Sequence, residues 1–428
     1  MPRNIPFFIA FRVLFNARFY YPVLGVLFLD LGLSVAEYAL LNAVWAAAIL
    51  SLEIPSGALA DAIGRKRMVV LAALLMVLEL AVFAAVPVGG GAWVFWLLVL
   101  NRILSGAAEA CASGADEALA YDSLPEANRE TTWPDVLSSL VKWQSGAFFF
   151  AMLVGAALFD RDFVVAAFSF IGCDSLVGST TKWPVFATCL TSLLCLAVAL
   201  AMRDPGGTTK GKSPREAVMN ILRGARHVFG DSRVFSLLLA LVVCDGFARL
   251  LITFASNYNR LLGIPEVLYG PIGAGMALLG FISAPLAKQL VLRSNAAISF
   301  SLLAILVVTG LAGAALMIPG AGVLFLIPIG MAMSMGGFFA SHYLNSWAGS
   351  DIRATVLSFR GVAMNAAYGL FGLGFAVLTA RLRQSHPSAS EENIFAQSLP
   401  WLASSFLIIC LAALATMGVH RKIRSTKE

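Results

Sequence analysis

Apolar residues run through the chain in stretches of about 20, each closed by a short polar break, and the pattern repeats about twelve times. A helix rises about 1.5 Å per residue, so each stretch is long enough to cross the roughly 30 Å hydrocarbon core of a bilayer. The runs lack the period-two alternation of a barrel strand. Lipid leaves only helices or closed barrels as spanning structures, so the pattern predicts helices. The predicted spans are 6–29, 35–58, 68–89, 93–117, 138–160, 183–202, 234–255, 266–287, 296–318, 322–345, 356–380 and 396–418. The longest basic break holds Lys210, Lys212, Arg215, Arg223 and Arg226 and divides the spans six and six. It predicts an N-terminal six-helix bundle over 1–202, a cytoplasmic basic linker over 203–231 and a C-terminal six-helix bundle over 232–428. The break at 161–182 contains the apolar stretch Phe163 to Ile171, expected as a packed cap over helix ends in preference to a segment lying on the membrane surface.

Composition agrees with an all-α membrane protein. Of 428 residues, 59% are hydrophobic and 13% charged, against about 25% charged in soluble domains. With both termini placed in the cytoplasm, 21 of the 30 basic residues fall on that side and five (Arg161, Lys182, Arg260, Arg381, Arg383) on the other. This sidedness predicts a multi-pass protein of a bacterial inner membrane. The net charge of +6 then calls for contact with anionic membrane lipid, not for a nucleic-acid partner. The six cysteines form no CxxC pair, Cys173 alone falls clearly in a loop, and the four histidines are scattered, so no metal site is expected. The N-terminus lacks the features of a cleaved signal peptide, and the first span is expected to remain in the protein.

The charges inside the spans carry the candidate chemistry, because ionisable groups at membrane depth face a cavity or one another. The first span supplies Arg12, Asn16 and Arg18, followed by Tyr20 and Tyr21. Arg18 is the deeper arginine and is expected to meet a cavity. Glu53, at the end of the second span, is a candidate partner for Arg12, and Glu79, within the third, reads as a structural pair or a buried protonated acid. The fourth span carries Arg102, Glu109, Asp116 and Glu117. Arg102, Glu109 and Asp116 recur at intervals of seven and so share a helical face. In the seventh span Asp245 and Arg249 are four apart and positioned to pair. Asn257, Tyr258, Asn259 and Arg260 follow and are expected to form a vestibule. His342, Tyr343 and Asn345 in the tenth span, with Arg360 and Asn365 in the eleventh, complete the polar positions. Substrate-binding or coupling candidates are therefore Arg18, Glu53, Arg102, Glu109, Asp245 and Arg249. An acid that changes protonation during a cycle is sought among Asp245, Glu109 and Glu53.

Between the second and third spans stands PSGALADAIGRKRMV, from Pro55. Its Gly57, Leu59, Ala60, Asp61, Gly64, Arg65 and Lys66 resemble the signature loop of the major facilitator superfamily, with Ala62 in place of a common basic residue. Arg102, Gly106 and Ala110 are similar to that family's arginine helix motif. The resemblance covers the whole chain through the six-plus-six span count and implies twelve transmembrane helices in two six-helix bundles. It also implies a secondary active transporter resembling a bacterial exporter-like member, alternating access, no cofactor, protons as the coupling ion and a monomeric state. Gly57 and Gly64 are expected to allow close approach and a tight turn. Asp61 is expected to face a helix N-terminus. Arg65 is expected to pair with Asp122 or Glu117, and Asp116 joins them in a cytoplasmic conformational latch. The fifth span keeps Gly146 and Gly155 but lacks the proline and paired glycines common in proton-coupled drug exporters of the superfamily.

No phosphate-cradling glycine loop and no nucleophile–base constellation is present, so neither ATP hydrolysis nor membrane enzymology is expected. The expected cargo is a polar or amphipathic organic solute. The alternatives are an organic-anion uptake carrier in place of an exporter, and a receptor or scaffold that transports nothing.

Overall fold

The computed structural model describes residues 4–91, 93–170, 172, 177–204, 214–347 and 353–425. Cys173, Lys210 and Lys212 lie outside them. Among the described residues every regular element is a helix. Twelve segments are long and apolar enough to cross a membrane: Asn4–Asp30, Val35–Glu53, Arg65–Ala85, Val94–Asp122, Glu126–Phe159, Trp183–Ala201, Ser232–Thr253, Glu266–Arg293, Ala296–Ala314, Ala321–Trp347, Thr355–Ser385 and Glu391–His420. This is the all-α, twelve-span class expected from the hydrophobic pattern. The apolar side chains left outside the packing, such as Trp96, Phe150, Phe281 and Ile408, suit a hydrocarbon surrounding and would be a liability in water.

Among the described residues three spans are interrupted. The first is helical over Asn4–Asn16 and again over Leu24–Asp30, with a 3-10 turn at Tyr21–Val23 between. The fourth breaks at Gly114, whose φ of +76° is left-handed, before resuming at Ala115. The seventh ends at Thr253, and a short helix, Ala255–Leu261, follows Phe254. Breaks free backbone groups that must be satisfied inside protein, which makes them places for polar chemistry.

The chain forms two compact units, neither continuous in sequence. The first comprises Met1–Leu33, Val44–Glu216 and Pro265–Ala274, and the second Ser34–Ala43, Ala217–Ile264 and Gly275–Glu428. In the first unit the Asp160 carboxylate accepts from the Val267 N–H at 2.9 Å. Gly270 also lies so close to the backbone of Met152 and Leu153 that a β-carbon would not fit. In the second, the Tyr38 hydroxyl donates to the Thr253 carbonyl at 3.0 Å and the Val35 N–H donates to Glu391 at 2.9 Å. Phe254 stacks among Tyr38, Phe375 and Phe395. One cluster of the first unit's core packs Ile5 and Phe8 against Ala120, Leu124, Val136 and Leu140.

Two stretches differ from expectation. Arg161–Ser169 is a helix capped by Asp160, but Val164 is its one buried residue while Phe163 and Phe170 are exposed. It is therefore not a packed cap: too few of its apolar side chains find protein to cover them. The motif from Pro55, expected as a loop, stays helical to Ile63 because the second helix runs Val35–Ile63. Gly57 consequently sits on a helix, and among the described residues nothing approaches where its β-carbon would point. The turn falls at Gly64 alone, with φ +94°.

Candidate functional site

The first unit holds a polar cluster built on the break in the first helix. Gly155 of the fifth span packs directly on the Phe19 carbonyl, leaving no room for a β-carbon. The freed Phe19 N–H donates to the Thr188 hydroxyl at 3.1 Å. Arg18, at the break, donates from Nη1 to both Glu79 oxygens at 2.7 and 3.0 Å and to the Tyr20 hydroxyl at 2.7 Å. Arg18 is 4% exposed and Glu79 not at all. Arg18 therefore does not meet a cavity as expected: an acid two helices away closes on it, because a lone buried guanidinium is far costlier than a paired one. Glu79 is the structural pair the sequence allowed.

Arg102 is also buried. Its Nε and Nη2 donate to Asn101 Oδ1 at 2.9 and 2.8 Å, and its guanidinium lies 5.3 Å from the Phe28 ring centroid. Asn101 Nδ2 in turn donates to the Glu79 carbonyl at 2.9 Å. Gly106, one turn on, lets this helix approach the second so closely that an added β-carbon would stand 2.7 Å from that of Ala48. Glu109 is half-buried. Among the described residues its carboxylate has no ion pair or side-chain hydrogen bond, although its charge is felt by Arg18 and Tyr21.

The latch positions gather at the basic end of the same unit. Arg65 pairs with the Asp122 carboxylate and donates to the Ala118 carbonyl at 3.3 Å. Arg12 takes Asp116 at 3.0 Å and Glu117 at 2.9 Å. Glu53, expected opposite Arg12, is exposed instead, since Asp116 and Glu117 follow the Gly114 break and swing under Arg12. Glu117 is thus the acid of Arg12 and not of Arg65. The side chain of Asp61 is outside the described residues.

The second unit presents a more open cluster. Arg249 Nη2 stands 2.8 Å from Asp245 Oδ2, with side-chain exposures of 28% and 12%. The pair lies one helical turn apart, at i and i+4. Arg249 Nη1 donates to Asn365 Oδ1 at 3.4 Å, and the guanidinium lies 5.4 Å from the Tyr368 ring centroid. The Tyr368 hydroxyl and Thr253 Oγ1 share a hydrogen bond of 3.0 Å. Arg360 is near enough to act on the Asp245 charge. Gly246 admits the Phe371 ring where a β-carbon would stand, which brings the eleventh span in beside the pair. Asn257, Tyr258 and Asn259 do not line a vestibule. All three are buried, the Tyr258 hydroxyl donates to the Gly322 carbonyl at 3.1 Å, and the helix Ala255–Leu261 turns them into protein. Tyr343 is buried on Ser299 at 2.9 Å, while His342 and Asn345 line a separate recess of about 380 Å³.

Asn101, Thr253 and Tyr368 escaped sequence reasoning. Each is uncharged, and the available signal was position: Asn101 precedes Arg102, Thr253 lies one turn beyond Arg249, and Tyr368 three residues after Asn365.

The sequence profile described as Major Facilitator Superfamily matches residues 7–377. No curated protein matches the chain in sequence. The fold is similar to that of the nucleoside transporter NupG, with a TM-score of 0.70, 13% identity, and 96% of this chain and 98% of that one covered. It is also similar to a bacterial homologue of the human lysosomal transporter Spinster in an inward-facing, unoccupied conformation, at TM-score 0.66 and 18% identity over 100% and 96% of the two chains. A POT family transporter in complex with 5-aminolevulinic acid gives TM-score 0.64 and 15% identity over 98% and 97%.

Proposed function

Because the chain belongs to the major facilitator superfamily, and so is a secondary transporter of small solutes by alternating access and not an enzyme, we propose that its cargo is a polar or amphipathic organic solute carrying an anionic group recognised at Arg249. The observation that carries this reading is the contrast between the two arginine pairs. Arg18–Glu79 is sealed from solvent, whereas Arg249 is partly exposed in its pair with Asp245 and flanked by Asn365 and the face of Tyr368. An incoming carboxylate or phosphate competes with Asp245 for the guanidinium, and the Tyr368 and Phe371 rings accept an apolar remainder.

We assign the coupling ion as the proton and Glu109 as the acid that carries it. Its support is a half-buried carboxylate without a bonded cation, within the field of Arg18. We assign 1–202 and 232–428 as the two bundles, joined by 203–231. Both termini are placed in the cytoplasm of a bacterial inner membrane, on the basic sidedness of the sequence, and the working unit is taken as a monomer. Export is the direction assigned, on the exporter-like resemblance of the sequence. The latch reading for Asp61, Gly64, Arg65 and Asp122, with Arg12 on Asp116 and Glu117, is supported by the tight turn at Gly64 and the Arg65–Asp122 pair.

The test is solute flux in proteoliposomes across a panel of organic anions, cations and neutral amphipaths, with and without a pH gradient. Anions should move, and Arg249→Gln should weaken their binding about tenfold or more, the loss of a charged hydrogen-bond partner. Preference for cations, or an unchanged Arg249→Gln variant, overturns the site. Inward-driven accumulation reverses the direction. Absence of any flux from correctly inserted protein favours a receptor or scaffold.

A further inference from the structure

The second unit contains a cavity of about 510 Å³ that the solute site does not use. Asp245, Arg249, Asn365 and Tyr368 are not among its lining. It lies between the beginnings of the seventh and ninth spans and the ends of the tenth and twelfth, since Arg233, Ala297, Trp347 and Gly418 all border it. Odd-numbered spans start and even-numbered spans finish on the same side, which is the side of the C-terminus and of the basic loops. From there it reaches Cys244, eleven residues beyond Arg233, or about 16 Å along a helix. That depth is roughly half the hydrocarbon thickness of a bilayer.

The lining has two zones. The deep part is apolar, made by Ala240, Val243, Cys244, Ala304 and Cys410. Leu414 borders it and is 63% exposed, with Ile298 and Leu411 exposed beside it, so its side opens towards lipid. The shallow part is polar. Arg233 is 70% exposed, held to Asp231 by a long 3.2 Å contact, and lies 5.9 Å from the Trp347 ring centroid. Such an exposed pair is weak. Ser236, one turn below Arg233 on the same face, has a buried hydroxyl with no hydrogen-bond partner. A helical serine can bond back to the preceding turn; this one makes no such bond and borders the cavity.

A basic headgroup site above an elongated apolar slot, open sideways to hydrocarbon, fits an amphipath that is already in the membrane. We propose that this cavity binds an anionic phospholipid of the cytoplasmic leaflet, with its phosphate at Arg233 and Ser236 and one acyl chain between the seventh, ninth and twelfth spans. The volume falls in the range of about 300–1,000 Å³ typical of small-ligand sites. The leaflet follows from the same basic sidedness that orients the chain, and the site stands independently of what is transported. Asp231 acts as a built-in competitor for the guanidinium.

Cys410 lines the cavity and is half-buried, so it reports occupancy. The full chain, purified in detergent, is titrated with dioleoyl phosphatidylglycerol, with dioleoyl phosphatidylcholine and with glycerol phosphate. Bound lipid is read by native mass spectrometry and Cys410 protection by maleimide labelling. Phosphatidylglycerol should bind about fivefold more tightly than phosphatidylcholine, the factor expected of one basic residue at an anionic headgroup, and should protect Cys410. Arg233→Gln should erase that preference. Asp231→Asn, which keeps the helix cap, should raise it, and Ala304→Phe should exclude both lipids. Equal binding of the two lipids with no response to Arg233→Gln or Asp231→Asn overturns the headgroup assignment. Lipid binding without Cys410 protection overturns the location. Protection by glycerol phosphate as strong as by phosphatidylglycerol overturns the lipid in favour of a soluble anion.

Discussion

Replacing Glu79 by leucine is the sharpest test of how the first unit holds its charges. At 2.7 Å and an effective dielectric constant of about 20, the attraction between Arg18 and Glu79 is about 6 kcal/mol. Removing each ion from water costs several kcal/mol, so the intact pair contributes little net stability. The single variant is a different matter, because it leaves the Arg18 guanidinium, 4% exposed, without its bonded counter-ion. Such uncompensated burial costs about 3–5 kcal/mol. The double variant Arg18→Met with Glu79→Leu removes both charges and should return to within ~1 kcal/mol of the parent or exceed it. The measurement is reversible unfolding in mixed micelles at rising dodecyl sulfate, read from the fluorescence of the eight tryptophans. A Glu79→Leu protein within about 0.5 kcal/mol of the parent, the range of an ordinary surface change, would refute the sealed pair. Flux separates scaffold from machinery: a stable double variant that still transports makes the pair purely architectural. One that is stable but inert restores Arg18 to the list of transport residues.

Glu109→Gln should abolish the stimulation of flux by a pH gradient while leaving solute exchange in its absence, and undiminished stimulation would move the proton elsewhere. Asp61→Asn should slow turnover several-fold with solute affinity unchanged in equilibrium binding, and a large affinity loss with normal turnover would count against the latch. Gly155→Ala should destabilise the first unit by about 1–3 kcal/mol through overpacking on the Phe19 carbonyl, seen as a lower unfolding midpoint, and an unchanged midpoint would contradict that packing.

The twelve spans were legible because lipid imposes a length and a composition that nothing else in the chain imitates. Pairs close in sequence were legible too: Asp245 and Arg249 sit four apart, and helical geometry does the rest. Arg65 with Asp122 was within reach because the motif restricts where the arginine lies. What stayed hidden were choices among acids on different helices. Arg12 had Glu53, Asp116 and Glu117 as candidates, and only the left-handed Gly114 decides which of them turns beneath it. Arg18 carried no mark of its partner, since Glu79 is 61 residues away and its span reads as uniformly apolar around it. Depth within a span proved a poor guide to whether a charge meets water. Arg18 and Arg102 are deep and buried, Arg249 deep and half-open, and the difference lies in the partners other helices bring, Glu79 and Phe28 around the first two.

The interruption in the first helix is fastened on three sides: Gly155 presses on the Phe19 carbonyl, Thr188 holds the amide of the same residue, and Glu79 grips the arginine before it. Those contacts come from the third, fifth and sixth helices. To unwind or pivot alone during a transport cycle, this segment would have to break an ion pair, a hydrogen bond and a close packing contact together. Moving with the third, fifth and sixth helices as one block keeps all three ties intact, and pliancy is then left to parts of the chain that are tied less often.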